Sequence, residues 1–241
     1  MELNVKNHSI KAENILHVRI PADSLTTYEI LEESLRAKNA QLALKRLFDV
    51  VIALLLITLF SPFLILITLL IKLTSRGPVL YSSERVGLGG NHFPCYKFRS
   101  MVIDHSVKYH DHKQAIKGQE MGILYKLKND GRITFVGKII RKTSMDELPQ
   151  LFNVLKGDMS IIGPRPLVPF MLVPYPEFRK VRSLVRPGIT GLWQIRDREH
   201  NTSAEFMISH DTEYIENYSL LLDLKILIDT PLVVISGKGA Y

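Results

Sequence analysis

The chain has 241 residues, of which 46% are hydrophobic and 23% are charged, and it contains a single cysteine. This composition excludes a disordered, collagen-like or disulfide-scaffold protein, and the length suffices for one domain with attachments or for two small domains. Because 31 basic residues outnumber 24 acidic ones, the formal net charge of +7 favours an anionic partner: nucleic acid, a phosphorylated substrate or an acidic membrane surface.

The first 44 residues carry no recognisable chemistry. The sequence ILHVRI at 15–20 predicts a short strand, and the apolar spacing of Tyr28, Leu31 and Leu35 predicts a helix over about 26–46. We interpret this extension as a solvated lead-in to the next segment or as a contact between subunits of an oligomer.

A long apolar run covers residues 47–71, in which 20 of 25 residues are hydrophobic and Asp49 is the only charge. As a helix it would extend about 38 Å, enough to cross a hydrocarbon core of roughly 30 Å. It begins too late and is too long for a signal peptide, so it predicts a retained membrane anchor. Ser61-Pro62 lies at its centre, where proline cannot donate to the carbonyl of Thr58, so we expect the helix to kink there.

Basic residues flank this run on both sides: Lys45 and Arg46 precede it, and Lys72 and Arg76 follow it. A single span concentrates positive charge on its cytoplasmic side, so this symmetry favours a re-entrant helix that enters and leaves through one face. Each half is also too short to span alone. A spanning helix with a proline kink and a buried helix of a soluble domain are the alternatives.

Three features of the next segment give little support to a cofactor or metal site. The glycines of VGLGG at 86–90 precede NHFPCYKFRSM, which predicts a strand instead of the helix that a dinucleotide-binding loop must open. The histidines within 103–127 lack zinc-ligand spacing and are interpreted as parts of a solvated loop. Cys95 has no catalytic signature and is predicted to be a buried hydrophobic residue.

The segment from 128 to 166 holds the most informative patterns. Asn129-Asp130-Gly131 predicts a turn, and RITFV at 132–136 predicts a strand. From Met145 onward, apolar residues recur with helical spacing until Lys156-Gly157, which predicts the end of that helix.

The predicted start of this helix is near 144–146. Ser144 and Glu147 fit the capping-box pattern, in which the serine caps the helix and the glutamate follows three residues later. Pro149 is tolerated only in the first turn of a helix, which favours the same start.

Asp146 and Glu147 are therefore candidate catalytic residues at a helix N terminus, where free N–H groups favour anions. Basic residues surround them in the sequence: Arg132, Lys138, Arg141, Lys142 and Arg165. Carboxylates among cations suit phosphoryl transfer, because an aspartate can accept a phosphoryl group as an acyl phosphate and Mg²⁺ binds carboxylates together with substrate phosphates. Acidic residues also occur in first turns for capping alone.

Two prolines bracket one arginine in Gly163-Pro164-Arg165-Pro166. Since proline restricts its own backbone and that of the preceding residue, Arg165 is predicted to lie in a rigid extended segment. A fixed guanidinium suits bidentate phosphate binding, and a structural turn with an exposed arginine is the alternative. The apolar tail at 199–241 has no uncharged stretch near 18 residues, so it predicts either a helix on the bilayer surface or a core helix.

Six ordered segments resemble the bacterial sugar transferase family, the monotopic phosphoglycosyl transferases that prime glycan assembly on polyprenol phosphate. Together they extend over about residues 45–228, and so many motifs in order make the resemblance specific. The segments are KRLFDVVIALLLITLFSP (45–62), RGPVLYSSERVG (76–87), YKFRSM (96–101), RKTSMDELPQLFNVLKGDMSIIGPRP (141–166), RPGITGLWQI (186–195) and DTEYIENYSLLLDLKIL (211–227).

The resemblance implies transfer of a sugar 1-phosphate from a UDP-sugar to undecaprenyl phosphate, with release of UMP and a requirement for Mg²⁺. It implies that Asp146 is the nucleophile that forms a covalent phosphosugar intermediate and that Glu147 helps to bind Mg²⁺. It associates Arg165 with the nucleotide. The matching basic positions expected near the phosphates are Lys97, Arg99 and Arg141, and the matching break of the membrane helix is Ser61-Pro62.

The expected fold class is α/β, mainly helical with short strands, in a small membrane-associated catalytic domain with one re-entrant helix. We expect an N-terminal extension (1–44), the re-entrant helix (45–75) and a cytoplasmic catalytic domain with membrane-surface helices (76–241). The resemblance implies a monotopic protein of the bacterial inner membrane. Larger family members carry several transmembrane helices before the catalytic part, so this chain resembles the small type, and residues 1–44 exceed its pattern.

The expected partners are a UDP-sugar, undecaprenyl phosphate and inner-membrane lipid, in the synthesis of exopolysaccharide, capsule, O-antigen or glycoprotein glycans. A homo-oligomer is left open, and no nucleic-acid-binding module is recognisable, so no nucleic-acid partner is expected. The alternatives are a membrane-tethered, non-catalytic protein that binds anionic lipid and a membrane-anchored phosphohydrolase that passes the phosphoryl group to water. No pattern indicates which sugar is transferred.

Overall fold

A computed structural model describes residues 24–102, 131–196 and 204–235, which form eight α-helices and four short strands. The helices are α1 (Ser24–Ala37), α2 (Asn39–Thr74), α3 (Phe135–Lys142), α4 (Gln150–Lys156), α5 (Pro176–Arg182), α6 (Leu192–Arg196), α7 (Ala204–Glu216) and α8 (Leu220–Ile235). The strands are β1 (Leu80–Val86), β2 (His92–Phe98), β3 (Ser160–Ile162) and β4 (Gly188–Thr190). The expected class, mainly helical with short strands, is confirmed.

Helix α2 contains the predicted apolar run and is 36 residues long, about 54 Å. It continues through Pro62 as one helix, so the run of helical residues is not interrupted at Ser61-Pro62, and a change of direction there stays a prediction. The proline lacks the N–H that would bond to the carbonyl of Thr58, and the hydroxyl of Ser61 donates to that carbonyl instead, at 2.8 Å. Because a serine side chain satisfies the freed carbonyl, the apolar helix tolerates the proline.

The two faces of α2 differ in burial. Asp49, Ala53, Ile67 and Ile71 are buried against other described elements. The opposite face exposes large apolar side chains: Leu47, Phe48, Val51, Leu54, Leu55, Leu59, Phe63, Ile65, Leu66, Leu69, Leu70 and Leu73. Among the helices that the structure describes, α2 is the one long and apolar enough to cross a membrane.

Strands β1 and β2 form an antiparallel hairpin that pairs Leu80 with Phe98 and Val86 with His92. Its turn uses Gly89 and Gly90 at φ values of 66° and 77°, which favour glycine because L side chains clash there. The strand predicted after VGLGG is thus confirmed. Cys95, on β2, is 1% exposed, as expected for a buried hydrophobic residue.

Strands β3 and β4 are parallel, with Ser160 opposite Gly188 and Ile162 opposite Thr190. The chain leaving β3 packs directly on the turn around β4. A Cβ atom on Gly188 would lie 2.1 Å from the backbone nitrogen of Gly163, and one on Gly191 would lie 2.3 Å from the carbonyl oxygen of Gly163. Only glycine allows this approach, which fixes the start of the segment containing Arg165.

The strand predicted at 132–136 is largely replaced by a helix. Ile133 forms a single bridge with Met101, and α3 begins at Phe135. The side chain of Thr134 accepts from the backbone N–H of Gly137 at 2.8 Å, which is an N-cap that the strand-like composition concealed.

The helix predicted to start at 144–146 begins later, at Gln150, and Met145–Glu147 forms a separate 3₁₀ turn. The capping-box interpretation is wrong because Ser144 has φ 57°, in the left-handed region, and its side chain does not cap this turn. Its backbone N–H instead bonds to the carbonyl of Arg141 at 3.1 Å, so Ser144 terminates α3. The predicted end at Lys156-Gly157 is confirmed, with Gly157 at φ 93°.

The core joins the inner face of α2 to α4, β3, α7 and α8. Leu151, Val154, Met159, Tyr214 and Ile226 within it are at most 2% exposed. The tail was predicted to form either a core helix or a helix on the bilayer surface, and the two faces of α8 have one of these characters each. It buries Ile226 in the core and exposes a stripe of large apolar residues: Leu221, Leu224, Ile228 and Leu232.

Several predictions fall outside the described residues. They are the strand at 15–20, the loop at 103–127 with its histidines, and the first two residues of the turn at 129–131.

Candidate active site

Glu147 lies in a cluster of cations. Its Oε1 accepts from Nζ of Lys97 at 2.6 Å and from Nη2 of Arg165 at 2.8 Å, and Nη1 of Arg165 lies 3.5 Å from Oε2. The three residues come from β2, the 3₁₀ turn and the loop after β3, and Glu147 is 9% exposed. The structure therefore brings together three predicted site residues in one partly enclosed ion-pair cluster.

Asn153 of α4 fixes β2 relative to the 3₁₀ turn. Its amide oxygen accepts from the backbone N–H of Tyr96 at 3.0 Å, and its amide nitrogen donates to the carbonyl of Pro94 at 2.8 Å. Asn153 is 0% exposed, so both bonds are shielded from water. This contact holds Lys97, the residue after Tyr96, beside the turn that carries Glu147.

The segment that carries Arg165 is held at four successive carbonyls, from Pro164 to Leu167. The donors, in that order, are the N–H of Gly188 (2.9 Å), the side chain of Arg182, the side chain of Arg85 (3.2 Å) and the N–H of Val86 (3.1 Å). Two prolines already restrict the conformations of this backbone, and the four hydrogen bonds restrict it further. The rigid extended presentation predicted for Arg165 is thus present, and three separate parts of the chain maintain it.

A buried ion pair supports this segment. Arg182, which donates to the carbonyl of Arg165, has its Nη2 3.3 Å from Oδ2 of Asp211 on α7. Both residues are buried, at 6% and 2% exposure. Burial raises the pKa of Asp211 to about 6, although the charge of Arg182 opposes the increase.

The two adjacent carboxylates differ in their electrostatics. Burial alone would raise the pKa of Glu147, but Arg165 and Lys97 hold it well below its usual range. Burial raises the pKa of Asp146, and the charge of Glu147 raises it further, while Lys97, Arg141 and Arg165 oppose the increase. Glu147 is therefore a fixed anion, and Asp146 is the carboxylate whose protonation changes more readily.

Two predicted basic residues have different places. Arg141, at the end of α3, lies close enough to Asp146 to lower its pKa. Arg99 does not join this cluster in the contacts that the structure describes: its Nη2 donates to the carbonyl and the hydroxyl of Ser75, both at 2.8 Å, just after α2. A guanidinium is favourable there because the last carbonyls of a helix lack intrahelical donors. The predicted position of Arg99 near the phosphates is therefore not supported.

Arg85 is a residue of this cluster that the sequence reasoning missed. The hairpin pairs Tyr81 with Lys97 and Ser83 with Cys95, so Arg85 extends from the same face as Lys97. Its Nη1 donates to the carbonyl of Pro166 at 3.2 Å, across 81 positions of sequence. No local pattern reports a contact of that separation.

Asp146 and Glu147 are the described carboxylates that could hold a metal ion here. Residues 24–102, 131–196 and 204–235 contain no group of three or more His, Cys, Asp or Glu side chains with that arrangement. Mg²⁺ is commonly bound by one or two carboxylates with substrate phosphates and water. Oε2 of Glu147 has only the 3.5 Å contact with Arg165, so this oxygen and the carboxylate of Asp146 fit such a donor set.

A family model described as bacterial sugar transferase matches residues 40–237, which include α2 almost completely and the whole described site. The chain belongs to this family. The resemblance carried by the six sequence segments is therefore confirmed.

Three relatives illustrate the range of this family. This chain is 44% identical to the undecaprenyl-phosphate galactose phosphotransferase of Salmonella typhimurium, over 85% of this chain and 43% of that protein. It is 40% identical to the exopolysaccharide production protein ExoY of Sinorhizobium fredii, over 82% and 88% of the two chains. It is also 40% identical to the UDP-N-acetylgalactosamine-undecaprenyl-phosphate N-acetylgalactosaminephosphotransferase of Aeromonas hydrophila, over 82% and 45%. The chain spans less than half of the first and third relatives.

The site has side chains of the kinds that phosphoryl transfer uses. Glu147 is held by two cations, and Asp146 is next to it in the same positive field. An ionised carboxylate needs no general base to attack phosphorus, and guanidinium groups stabilise the charge of the phosphoryl oxygens.

Proposed function

We propose that this chain transfers a sugar 1-phosphate from a UDP-sugar to undecaprenyl phosphate and releases UMP, as the first step of a bacterial surface or secreted glycan. The observation that carries the proposal is the pair Asp146-Glu147, in which Glu147 is fixed by Lys97 and Arg165 while Asp146 remains available to a substrate. The printed names of the relatives support the same lipid and the same class of reaction.

In the first half-reaction, a carboxylate oxygen of Asp146 attacks the phosphorus attached to the sugar. The bond between this phosphorus and the bridging oxygen breaks, UMP leaves with that oxygen, and an acyl phosphate joins Asp146 to the sugar 1-phosphate. Arg165 neutralises the phosphoryl oxygens as charge develops, because its rigid backbone holds the guanidinium in place.

In the second half-reaction, a phosphate oxygen of undecaprenyl phosphate attacks the same phosphorus. The bond to Asp146 breaks, the carboxylate is regenerated, and the product is a sugar linked to undecaprenyl diphosphate. Each step exchanges one oxygen–phosphorus bond for another, so neither step needs an external base or an oxidant.

Mg²⁺ is part of this proposal. Asp146 and Oε2 of Glu147 supply carboxylate oxygens of the kind that this ion prefers. When bound, it would neutralise charge on the diphosphate. Lys97 and Arg165 limit how far Glu147 can move toward the ion, since both cations hold Oε1.

We also propose that α2 is re-entrant, within residues 45–75, and inserts in one leaflet without crossing the bilayer. Ala53 and Ile67 are buried on opposite sides of Pro62 by elements of the same domain. They are 14 residues apart, about 21 Å of helix, whereas a span needs roughly 30 Å free of that domain. A transmembrane span would pull polar parts of the catalytic domain into hydrocarbon.

Two further apolar surfaces support a membrane-surface orientation of residues 76–241. Helix α8 exposes its stripe, with Leu221 at 76% and Leu232 at 70% exposure, and α3 exposes Phe135 at 79%. Such faces are favourable at the boundary between headgroups and acyl chains. The basic flanks of α2 favour the cytoplasmic side of the bacterial inner membrane, which is also where a soluble UDP-sugar would reach the site.

The test is release of UMP by the purified, detergent-solubilised protein with Mg²⁺, a panel of UDP-sugars, and undecaprenyl phosphate present or absent. We expect lipid-dependent release from at least one sugar and a loss of at least about 1,000-fold in Asp146→Asn, since the nucleophile is removed. Glu216→Gln, which removes an exposed carboxylate of α7, is the matched control and should retain full activity.

Other outcomes separate the alternatives. Rapid release without lipid would favour a phosphohydrolase that passes the phosphoryl group to water. Absence of release with any nucleotide sugar, together with binding to anionic vesicles, would favour a non-catalytic lipid-binding protein. Full activity of Asp146→Asn would exclude the aspartyl intermediate.

A further inference from the structure

Arg85 differs from the other cations of the site in having no carboxylate partner. Lys97 and Arg165 both bind Glu147, whereas no Asp or Glu among the described residues lies within ion-pair distance of Arg85. Its only described hydrogen bonds run from Nε to the hydroxyl of Ser83 at 3.1 Å and from Nη1 to the carbonyl of Pro166 at 3.2 Å. Both acceptors are neutral, so Arg85 forms no direct ion pair with the described residues.

The position of Arg85 is unfavourable for an unneutralised cation. The side chain is partly buried, and burial lowers its pKa; the charge of Arg165 lowers it further, while Cys95, Tyr81 and Glu147 oppose the decrease. A partly buried cation without an ion-pair partner destabilises the folded state unless a bound anion neutralises it. The arrangement is therefore typical of a residue whose partner is a ligand.

The two neutral acceptors orient the guanidinium toward the active site. Val86, the next residue, donates its N–H to the carbonyl of Leu167 at 3.1 Å, so β1 is bonded side by side to the segment that carries Arg165. Arg85 and Arg165 therefore project from adjacent backbone segments. The remaining N–H groups of Arg85, one on Nη1 and two on Nη2, have no acceptor among the described residues.

The location along the hairpin favours the nucleotide over the lipid. The C-terminal part of α2 packs on the end of the hairpin that contains Phe98, where Leu80 is its partner. Arg85 is five residues further along β1, about 17 Å away. A phosphate of a membrane lipid would enter from the α2 side, whereas a soluble diphosphate has access to the far end.

We propose that Arg85 binds the diphosphate of the nucleotide sugar, next to Arg165, and is a substrate-binding residue of this transferase. This inference rests on the proposed function for the identity of the substrate. A diphosphate needs more positive charge than a monophosphate, and Lys97 and Arg165 are already shared with Glu147. Arg85 supplies an additional cation for the diphosphate, one that forms no ion pair with a described carboxylate.

Equilibrium binding of UDP to the detergent-solubilised protein, without lipid, tests the inference independently of turnover. Arg85→Gln removes the charge and should weaken UDP binding about 10- to 100-fold, the range for loss of charged hydrogen bonds. Arg85→Lys keeps the charge and should recover part of that loss. The matched control is Arg196→Gln, an exposed arginine already paired with Glu213, which should bind UDP as the wild type does.

Steady-state kinetics then distinguish the two phosphate sources. We expect Arg85→Gln to raise the KM for the UDP-sugar and to leave the KM for undecaprenyl phosphate unchanged. An increase confined to the lipid KM, or UDP affinity equal to that of the wild type, would overturn the inference. If Arg85→Gln fails to fold, the inference depends on Arg85→Lys, whose UDP affinity must then fall while its thermal unfolding matches the wild type.

The inference and the proposed function can fail separately. A wild-type protein that turns over a UDP-sugar, with an Arg85→Gln variant of unchanged UDP affinity, would refute the inference and retain the function. A protein that binds UDP through Arg85 but transfers nothing to lipid would refute the function and retain the nucleotide site.

Discussion

Two buried polar clusters of this molecule contain similar residues and differ in how completely their charges are matched. The first lies where α2 meets the domain. Lys45 is 2.8 Å from Asp223 and 3.8 Å from Asp49, Asp49 accepts from the hydroxyl of Ser160 at 2.9 Å, and Tyr214 donates to Asp223 at 2.8 Å. Every one of these side chains has a partner of opposite charge or a hydrogen bond within the protein.

The second cluster is the candidate active site, where matching is incomplete. Glu147 has two cationic partners, but neither Asp146 nor Arg85 forms an ion pair with another described residue. The comparison teaches that burial of charge is not by itself a sign of function. The first, fully matched cluster fixes α2 to β3. The second, incompletely matched cluster contains the cation and the carboxylate that we propose for substrate binding and catalysis.

The largest effect on stability is expected in the first, fully matched cluster. Lys45→Met leaves Asp49 and Asp223 without their shared cation, and removal of one partner from a buried pair costs about 3–5 kcal/mol. We expect the Tm in detergent or nanodiscs to fall by roughly 6–20 °C.

The matched control for this prediction is Lys72→Met, on the exposed face of the same helix, which should change stability by less than about 0.5 kcal/mol. Equal effects of the two substitutions would show that the cluster around Lys45 contributes no specific stabilisation. Lys45→Arg should recover most of the loss.

A second prediction concerns Asp211, whose partner Arg182 holds the carbonyl of Arg165. The pKa of Asp211 in the folded state, about 6, lies above its unfolded value of about 3.8. The folded state thus binds more protons between those pH values, and the stability due to this group falls as pH rises from about 4 to 6. Relative to Asp211→Asn, the wild type should lose up to about 3 kcal/mol across this window and nothing above it.

Thermal or denaturant unfolding at a series of pH values measures this difference. Arg182→Met is the companion variant, because loss of the cation that lowers the pKa of Asp211 should extend the window to higher pH. A constant difference between wild type and Asp211→Asn from pH 4 to pH 7 would contradict the prediction.

The sequence predicted the apolar helix and, through family resemblance, the convergence of Lys97, Asp146, Glu147 and Arg165. The predicted start of the helix at 144–146 was wrong because the pattern Ser-x-x-Glu does not always mark a helix cap. Here Ser144 ends one helix instead of capping the next. The composition of residues 132–136 indicated a strand, but Thr134 caps the N terminus of a helix that begins at Phe135.

Residues that act over long sequence separations could not be predicted. The contact between Arg85 and Pro166 extends over 81 positions, and the one between Asn153 and Pro94 over 59. Arg99 was expected near the phosphates because it matches a basic position of the family, yet its side chain donates to the carbonyl of Ser75, just after α2. Hydrophobic spacing describes which face is buried, whereas these polar contacts depend on which elements become neighbours.

The last prediction concerns chemistry instead of stability, and it belongs to Lys97. Its charge lowers the pKa of Asp146, so Lys97→Met should raise that pKa and move the acid limb of the kcat/KM profile to higher pH. The direction follows because the nucleophile must be ionised, and Asp146 then needs a higher pH to lose its proton. Lys97→Arg keeps the positive charge, so its acid limb should stay in place even if its rate falls. An acid limb that is unchanged in Lys97→Met would mean that Asp146 is not the group whose ionisation limits the reaction, whereas a shift in Lys97→Met alone would tie the charge of the second cluster to the nucleophile.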